Sequence, residues 1–497
     1  TNQMSYENSV PPEIWLEVFK HAPNKALLSL SLTSQSFRHL SRPLLFSHFH
    51  FHPYAIGPGD GILLPSSLKV ENAKERLDFW CSEQIAPLVR SCNISPWTRS
   101  LHSKQTFSGT ETPHILLARF FDHLQCFTGL QQLSAYQIHF TGSAIAKLST
   151  MARDSLRHLR VQLCEVDDGE GLQSATSASA LSVFTFYDKV RRADRDELKA
   201  WIHLLHPSHL RELHLTCNLR FLAFNPPFIP TFPCVTKLSI EFDFSIMDSN
   251  IAFLSRFPNV EHLAVTGWGE PINTSGSHPP CLAALRELSS LSCPPILLPV
   301  VPGSPLTSLT VSNCNAAAFT EQLRRMQVPR TITYLAVDFD SLEAVALGMI
   351  LLFFPQLADL TISIGLVVKD DIYAEDGFNP IATKFFTALP GLAALPSGLR
   401  SISVSWLFEY GENDDPGHDK NFEFGAVRDA LLQRCPALTS LWLDGDTLLL
   451  WWRRSAPDGA AEEHTAYDPT GAYHIRCFLE MEYWPLEIAD PPVWSEI

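Results

Sequence analysis

The pattern Leu-x-x-Leu-x-Leu, with Ile or Val allowed at the Leu positions, recurs along most of this chain and constrains its fold more than any other feature. It starts at Leu130, Leu156, Leu181, Leu210, Val235, Val260, Leu285, Leu306, Ile332, Leu357, Leu399 and Leu438. Successive starts lie 21–29 residues apart, except for two final steps of 42 and 39. Apolar residues two apart read as a strand with one buried face. One such strand with its return segment cannot hide its own Leu side, so the units must stack, with parallel strands on one side and helices on the other. The stretches 196–205, 251–257, 316–326, 342–354 and 424–434 read as those helices, and Pro258, Pro355 and Pro436 stand at turns into the next strand. The run 344–354 is apolar enough to be expected as a fully buried helix.

The spacing resembles that of leucine-rich repeats. That resemblance implies an α/β solenoid with a curved parallel sheet, here expected over residues 69–450. Val89–Cys92 and Leu101 read as degenerate early repeats. Residues 451–497 are expected as a cap, in which Trp451, Trp452, Trp484 and Trp494 cover the last apolar layer and 475–483 forms a strand.

Residues 9–46 have a different character. Pro11 and Pro12 suit a helix first turn, and Glu13 complements the helix dipole. Ile14, Trp15, Val18 and Phe19 make an apolar stripe ending at Pro23-Asn24. Leu27, Leu28, Leu30 and Leu32 fill a second helix, and Thr33 or Ser34 can cap a third bearing Phe37, Leu40, Leu44 and Leu45. A unit this small hides little surface by itself, so part of its apolar area should be covered by the rest of the chain, by another protein, or by both.

The ordered set Val10-Pro11-Pro12-Glu13-Ile14-Trp15, Val18-Phe19, Leu27-Leu28-Ser29-Leu30-Ser31-Leu32 and Ser36-Phe37-Arg38 resembles the F-box. Val10, Ala22 and Ala26 depart from the family pattern. The resemblance implies docking on a Skp-type adaptor, and through it on a cullin, with Pro11, Ile14, Leu28, Leu32 and Phe37 facing the adaptor. It also implies a non-catalytic subunit of a ubiquitin ligase, with no cofactor, that recruits a protein substrate. A repeat scaffold whose helical N-terminus is only a cap, without any ligase role, stays open beside it.

Strand alternation places Glu212, His214, Thr216, Lys237, Ser239, Glu241, Ser308, Thr310, Ser312, Tyr334, Asp338 and their later counterparts on the face away from the Leu core. From Ser308 to Ser440 this face is mostly small hydroxyls, bordered by Tyr334 and Trp442, which read either as substrate anchors or as incidental aromatics on a solvated sheet face. Two insertions, 367–380 and 408–422, break the late spacing. Their carboxylates, Asp370, Asp371, Glu375, Asp376, Glu412, Asp414, Asp415 and Asp419, read either as an acidic rim for a basic segment of the substrate or as solvated, flexible loops.

Charge narrows the partners further. From Asp338 onward there are 9 Lys+Arg against 26 Asp+Glu, so the formal net charge of −16 belongs to the last third. Such a chain has no basic reserve for phosphate backbones or anionic membranes, and nucleic acid is not expected as a partner. The 11 Cys show no C-x-x-C pair and read as reduced thiols of cytoplasm or nucleus. His48, His50 and His52 alternate with Phe49 and Phe51. The pattern reads either as a strand with Phe inward and His outward or, less economically, as a metal site. No nucleophile elbow, metalloprotease helix, phosphate loop or dinucleotide fingerprint is present.

Overall fold

The computed structural model describes residues 10–56, 62–63, 67–97, 114–166, 179–188, 197–217, 230–244, 252–268, 285–300, 305–325, 328–365, 379–407, 422–445, 448–456 and 459–483. The fold is mixed α/β: three N-terminal helices precede strands that pair mostly in parallel. The chain divides into two compact units, one of residues 1–259 and 268–272, the other of 260–267 and 273–497.

The first unit opens with helices α1 (Pro12–Lys20), α2 (Asn24–Ser31) and α3 (Gln35–Leu45). Pro12 occupies the first turn of α1, where its missing N–H costs nothing. Ser34 caps α3, its Oγ accepting from the Phe37 N–H at 3.0 Å. Seven strands then pair side by side, all parallel: His48–Phe51, Ser91–Ile94, Gln132–Tyr136, His158–Gln162, Val183–Asp188, Glu212–Cys217 and Lys237–Asp243. Phe49 and Phe51 point inward and His48 and His50 outward, as the alternation predicts. Val89, Cys92 and Ile94 are buried in the places that Leu130, Leu133 and Ala135 hold one strand later. The degenerate early repeat is therefore a full member of the stack, whereas Leu101 lies outside the described residues.

In the second unit His262–Trp268, Ser290–Cys293, Ser308–Cys314, Tyr334–Phe339, Asp359–Gly365, Ser401–Leu407 and Ser440–Asp444 continue in parallel. The hairpin Leu449–Arg454 and Ala461–Ala466 then closes the row antiparallel. Where strands turn outward, Gln137, Leu163 and Asn313 adopt φ of 51°, 50° and 51°, each seven residues after its repeat start. The next residue dives inward each time. Ile138, Cys164 and Cys314 are buried there, and the Cys164 thiol donates to the carbonyls of Ala135 and Gln162 while accepting from the Ile138 N–H.

Three expectations are corrected. The repeat beginning at Leu285 in fact begins at Leu288, because Ser290 pairs with His262 and Leu291 with Leu263. The string Leu285-x-x-Leu288-x-x-Leu291 can be read in two registers, and pairing selects the one that buries Leu291 and Cys293. The following unit is then only 18 residues long, and the short 3-10 segment Pro295–Val300 spans it.

The apolar helix is Ala344–Leu351 and is not buried all round. Leu347, Ile350 and Leu351 face the core, whereas Val345 and Leu352 are 73 % and 70 % exposed. Finally, 475–483 is not a strand. Pro469–Tyr483 is a helix whose Ala472, Ile475 and Leu479 follow helical spacing against the closing hairpin. Asp468 before Pro469 is the start signal, its Oδ1 accepting from the Gly471 N–H at 2.8 Å.

Candidate interaction surfaces

The three-helix module is built around an aromatic triad. The Phe37 ring lies 5.0 Å from Trp15 and 5.3 Å from Phe19, close to edge-on in the second case. Phe19 and Leu27 are buried, and the Arg38 Nε donates to the Ser31 carbonyl at 3.2 Å, tying α3 to α2. With these groups inside, the opposite sides of α1 and α2 face out. Ile14 and Val18, four residues apart on α1, are 55 % and 52 % exposed, and Leu28 on α2 and Leu32 at its C-cap, also four apart, are 57 % and 73 % exposed. Covering what these four side chains leave open is worth roughly 1–2 kcal/mol each, about half to three-quarters of the value for a fully exposed residue. Of the five residues expected to face an adaptor, Pro11, Ile14, Leu28 and Leu32 are exposed. Phe37 is half-buried in the triad and belongs to the module's own core. Val18 belongs with the exposed set, and its i,i+4 spacing to Ile14 is the signal for it.

The module is joined to the strands by packed rings. Phe46, which ends α3, lies 5.9 Å from Phe79 and 5.5 Å from Trp80, and Trp80 stacks on Phe49 at 4.7 Å. The Arg42 Nη2 donates to both the carbonyl and the side-chain oxygen of Gln84 at 3.1 Å.

On the outward sheet face of the second unit, Ser308, Tyr334, Asp359, Ser401 and Ser440 stand in one register row, and Thr310, Ala336, Thr361, Ser403 and Trp442 in the next. Tyr334 is 36 % exposed and open. Trp442 corrects the expectation of an open aromatic border. It is half-buried against a cluster of Leu449, Trp451, Ala466, Ala472 and Leu479 that the helix Pro469–Tyr483 completes, and its Nε1 donates to the Ser405 Oγ at 3.1 Å. That helix also covers Asp444. Burial raises the Asp359 carboxyl above its ordinary range, partly offset by Arg400. Asp370, Asp371, Asp414 and Asp415, with the rest of the expected acidic rim, lie outside the described residues.

Among the described residues Cys92, Cys164, Cys217, Cys293, Cys314 and Cys435 are buried, whereas Cys126 is exposed. Burial pushes Cys81 up to about 12 and moves Cys92, Cys217, Cys293 and Cys314 higher still. Among the described residues no group of three or more His, Cys, Asp or Glu is arranged to hold a metal ion, and no helix is long and apolar enough to cross a membrane.

A family model described as the F-box domain matches residues 8–48. These residues are an F-box domain, a module that in general binds a Skp1-type adaptor of ubiquitin ligases and is not itself catalytic. No curated protein matches the chain. Among solved structures, the crystal structure of a TLR13–ssRNA13 complex is similar at 13 % identity with a TM-score of 0.27, covering 73 % of this chain. The matched part spans 37 % of that relative's length.

Proposed function

We propose that this chain is the substrate-recruiting subunit of a Skp–cullin–F-box ubiquitin ligase. The F-box domain docks on the adaptor, and the remaining units, read as leucine-rich repeats, hold a protein to be ubiquitinated on the outward sheet face. Transfer is then accelerated by proximity, through enzymes brought by the complex and not through side chains of this chain. The observation that carries this reading is the exposure of Ile14, Val18, Leu28 and Leu32 on a module whose own core is already filled by Trp15, Phe19 and Phe37. Four apolar side chains left open in two i,i+4 pairs are what a helical partner covers. The acidic insertions around Asp370, Asp371, Asp414 and Asp415 supply charge for a basic segment of the cargo.

Co-expression with a Skp-type adaptor tests it. The wild-type chain should co-purify with the adaptor, and Ile14→Asp with Leu28→Asp should abolish capture without changing the melting of the chain. A wild-type chain that captures no adaptor would leave the scaffold without a ligase role as the correct reading.

A further inference from the structure

The helix Ala344–Leu351 departs from the rule that a helix apolar all round is buried all round. From Ala344 to Phe354 the chain carries no polar side chain. At about 100° per residue, Val345, Met349 and Leu352 fall within an arc of about 60°, and Leu347, Ile350 and Leu351 fall on the opposite side. The second set is buried, whereas Val345, Met349 and Leu352 are exposed. Leu352 keeps helical backbone angles at the C-cap, so the three form one stripe. Single apolar residues on a surface need no account, but a stripe with no charge in it marks a contact.

The charges around the stripe say what kind of contact. Asp340 and Glu343, the N-cap residue, are exposed at its N-terminal end. The helix Ala316–Arg325 lies alongside and runs the same way, because the two helices follow the paired parallel strands Ser308–Cys314 and Tyr334–Phe339. Its last turn therefore brings Arg324 and Arg325 beside the C-terminal end of the stripe. Glu321, one turn earlier, meets Arg325 at 3.1 Å and Arg324 at 3.7 Å. One end of the surface is thus acidic, and the other has two bases for one acid.

A partner of a single sign, an anionic membrane included, would be attracted at one end and repelled at the other. A second copy laid antiparallel satisfies both ends. Asp340 and Glu343 of each copy then approach Arg324 and Arg325 of the other, Val345 opposes Leu352, and Met349 lies near the two-fold axis. A two-fold contact requires a surface complementary to itself, which this one is. The opposed helix dipoles agree with the arrangement. Ala344 and Gly348, on one edge of the stripe, leave room for a second helix to come close. The stripe by itself is smaller than the roughly 800 Å² a side of a standard interface. The charged flank must join it, and the contact belongs to the micromolar range.

We propose that this chain forms a two-fold dimer through the helix Ala344–Leu351, packed antiparallel on the same helix of a second copy with the helix Ala316–Arg325 at its side. The dimer goes beyond the ligase reading and does not depend on it.

The test is sedimentation velocity of the purified full chain from about 1 to 100 μM, over which the mass should rise from one chain toward two. Val345→Glu and Leu352→Lys should each hold it at one chain over the same range. Both sites are exposed, and each new charge has the sign its own helix end favours, so both variants should melt as the wild type does. The antiparallel packing has a separate readout. With the exposed Cys126 replaced by Ser, Met349→Cys chains should be joined into covalent dimers by a short bismaleimide, and adding Val345→Glu should abolish the joining. A wild-type chain that stays monomeric throughout, a dimer that both substitutions leave intact, or a dimer in which Met349→Cys chains are not joined would each overturn the pairing. A different protein bound at this helix on a chain that itself stays monomeric would do so too.

Discussion

Arg476 reaches across from the helix Pro469–Tyr483 to Asp444 at the end of the last parallel strand, its Nε donating at 2.9 Å and its Nη2 at 2.5 Å to the two carboxylate oxygens. Asp444 is almost fully covered, and the pair pins the helix over the sheet face where Trp442 lies. Arg476→Ala removes two charge-assisted donors from a buried carboxylate. Because the arginine is 28 % exposed, the loss should be about 2–3 kcal/mol, below the 3–5 of a fully buried pair. Urea unfolding followed by Trp fluorescence should show it, and the double change Arg476→Met with Asp444→Leu should recover most of it.

Lowering pH should weaken the fold. Burial comes first among the causes that hold His50, His52 and His214 below the ordinary imidazole value of 6.5. Above that value both folded and unfolded forms are neutral there and stability is flat. As pH falls below 6.5 the unfolded chain takes up protons that the folded chain resists, so stability declines toward the folded-state values. The urea midpoint should therefore be lower at pH 5.5 than at pH 7.5, and His214→Asn should reduce the difference.

Thiol reactivity should sort by position in the repeats. Cys92, Cys217 and Cys293 are buried with raised thiols, whereas Cys126 is exposed. Brief alkylation of the native chain at pH 8 should label Cys126 and spare the other three, with all four labelled in urea. Mass spectrometry of the peptides reads this directly.

Gly129 lies where the turn before Leu130 passes the preceding unit. A Cβ there would collide with the Pro87 carbonyl and stand 2.7 Å from the Arg90 Nη1, which donates to the Gly129 carbonyl at 3.1 Å. Backbone atoms cannot yield as a flexible side chain does. Gly129→Ala should cost about 1–3 kcal/mol, read as a lower melting temperature, whereas Gly142→Ala, with open space around it, should be near neutral or slightly stabilising.

Phe49 joins the helical module to the strands, stacked on Trp80 and Phe127 and close to Phe51 and Phe120. Truncation to Ala should cost about 3–5 kcal/mol. The damage should appear at the joint as enhanced hydrogen exchange in the helix Ser67–Trp80, with the strands from Ser308 onward unchanged.

Much of this molecule was written in its periodicity. Leu at the first, fourth and sixth positions, repeated every 25 residues or so, committed the chain to side-by-side parallel strands, because only stacking hides a one-sided strand. The Pro, Ser34 and aromatic spacing of residues 10–46 likewise specified three short helices. These are local properties, set by backbone chemistry and by which side chains water rejects. Tertiary structure alone decided the rest. Pairing with His262–Trp268 chose Leu288 over Leu285. The helix Pro469–Tyr483, where the local pattern reads as a strand over 475–483, packs on the closing hairpin and half-buries Trp442. Register placed Gln162 against Arg160 and Phe37 between Trp15 and Phe19. In each case the outcome depends on what an adjacent strand or helix presents. Periodicity states that a side chain is inward or outward, and neighbours distant in the chain determine what it meets there.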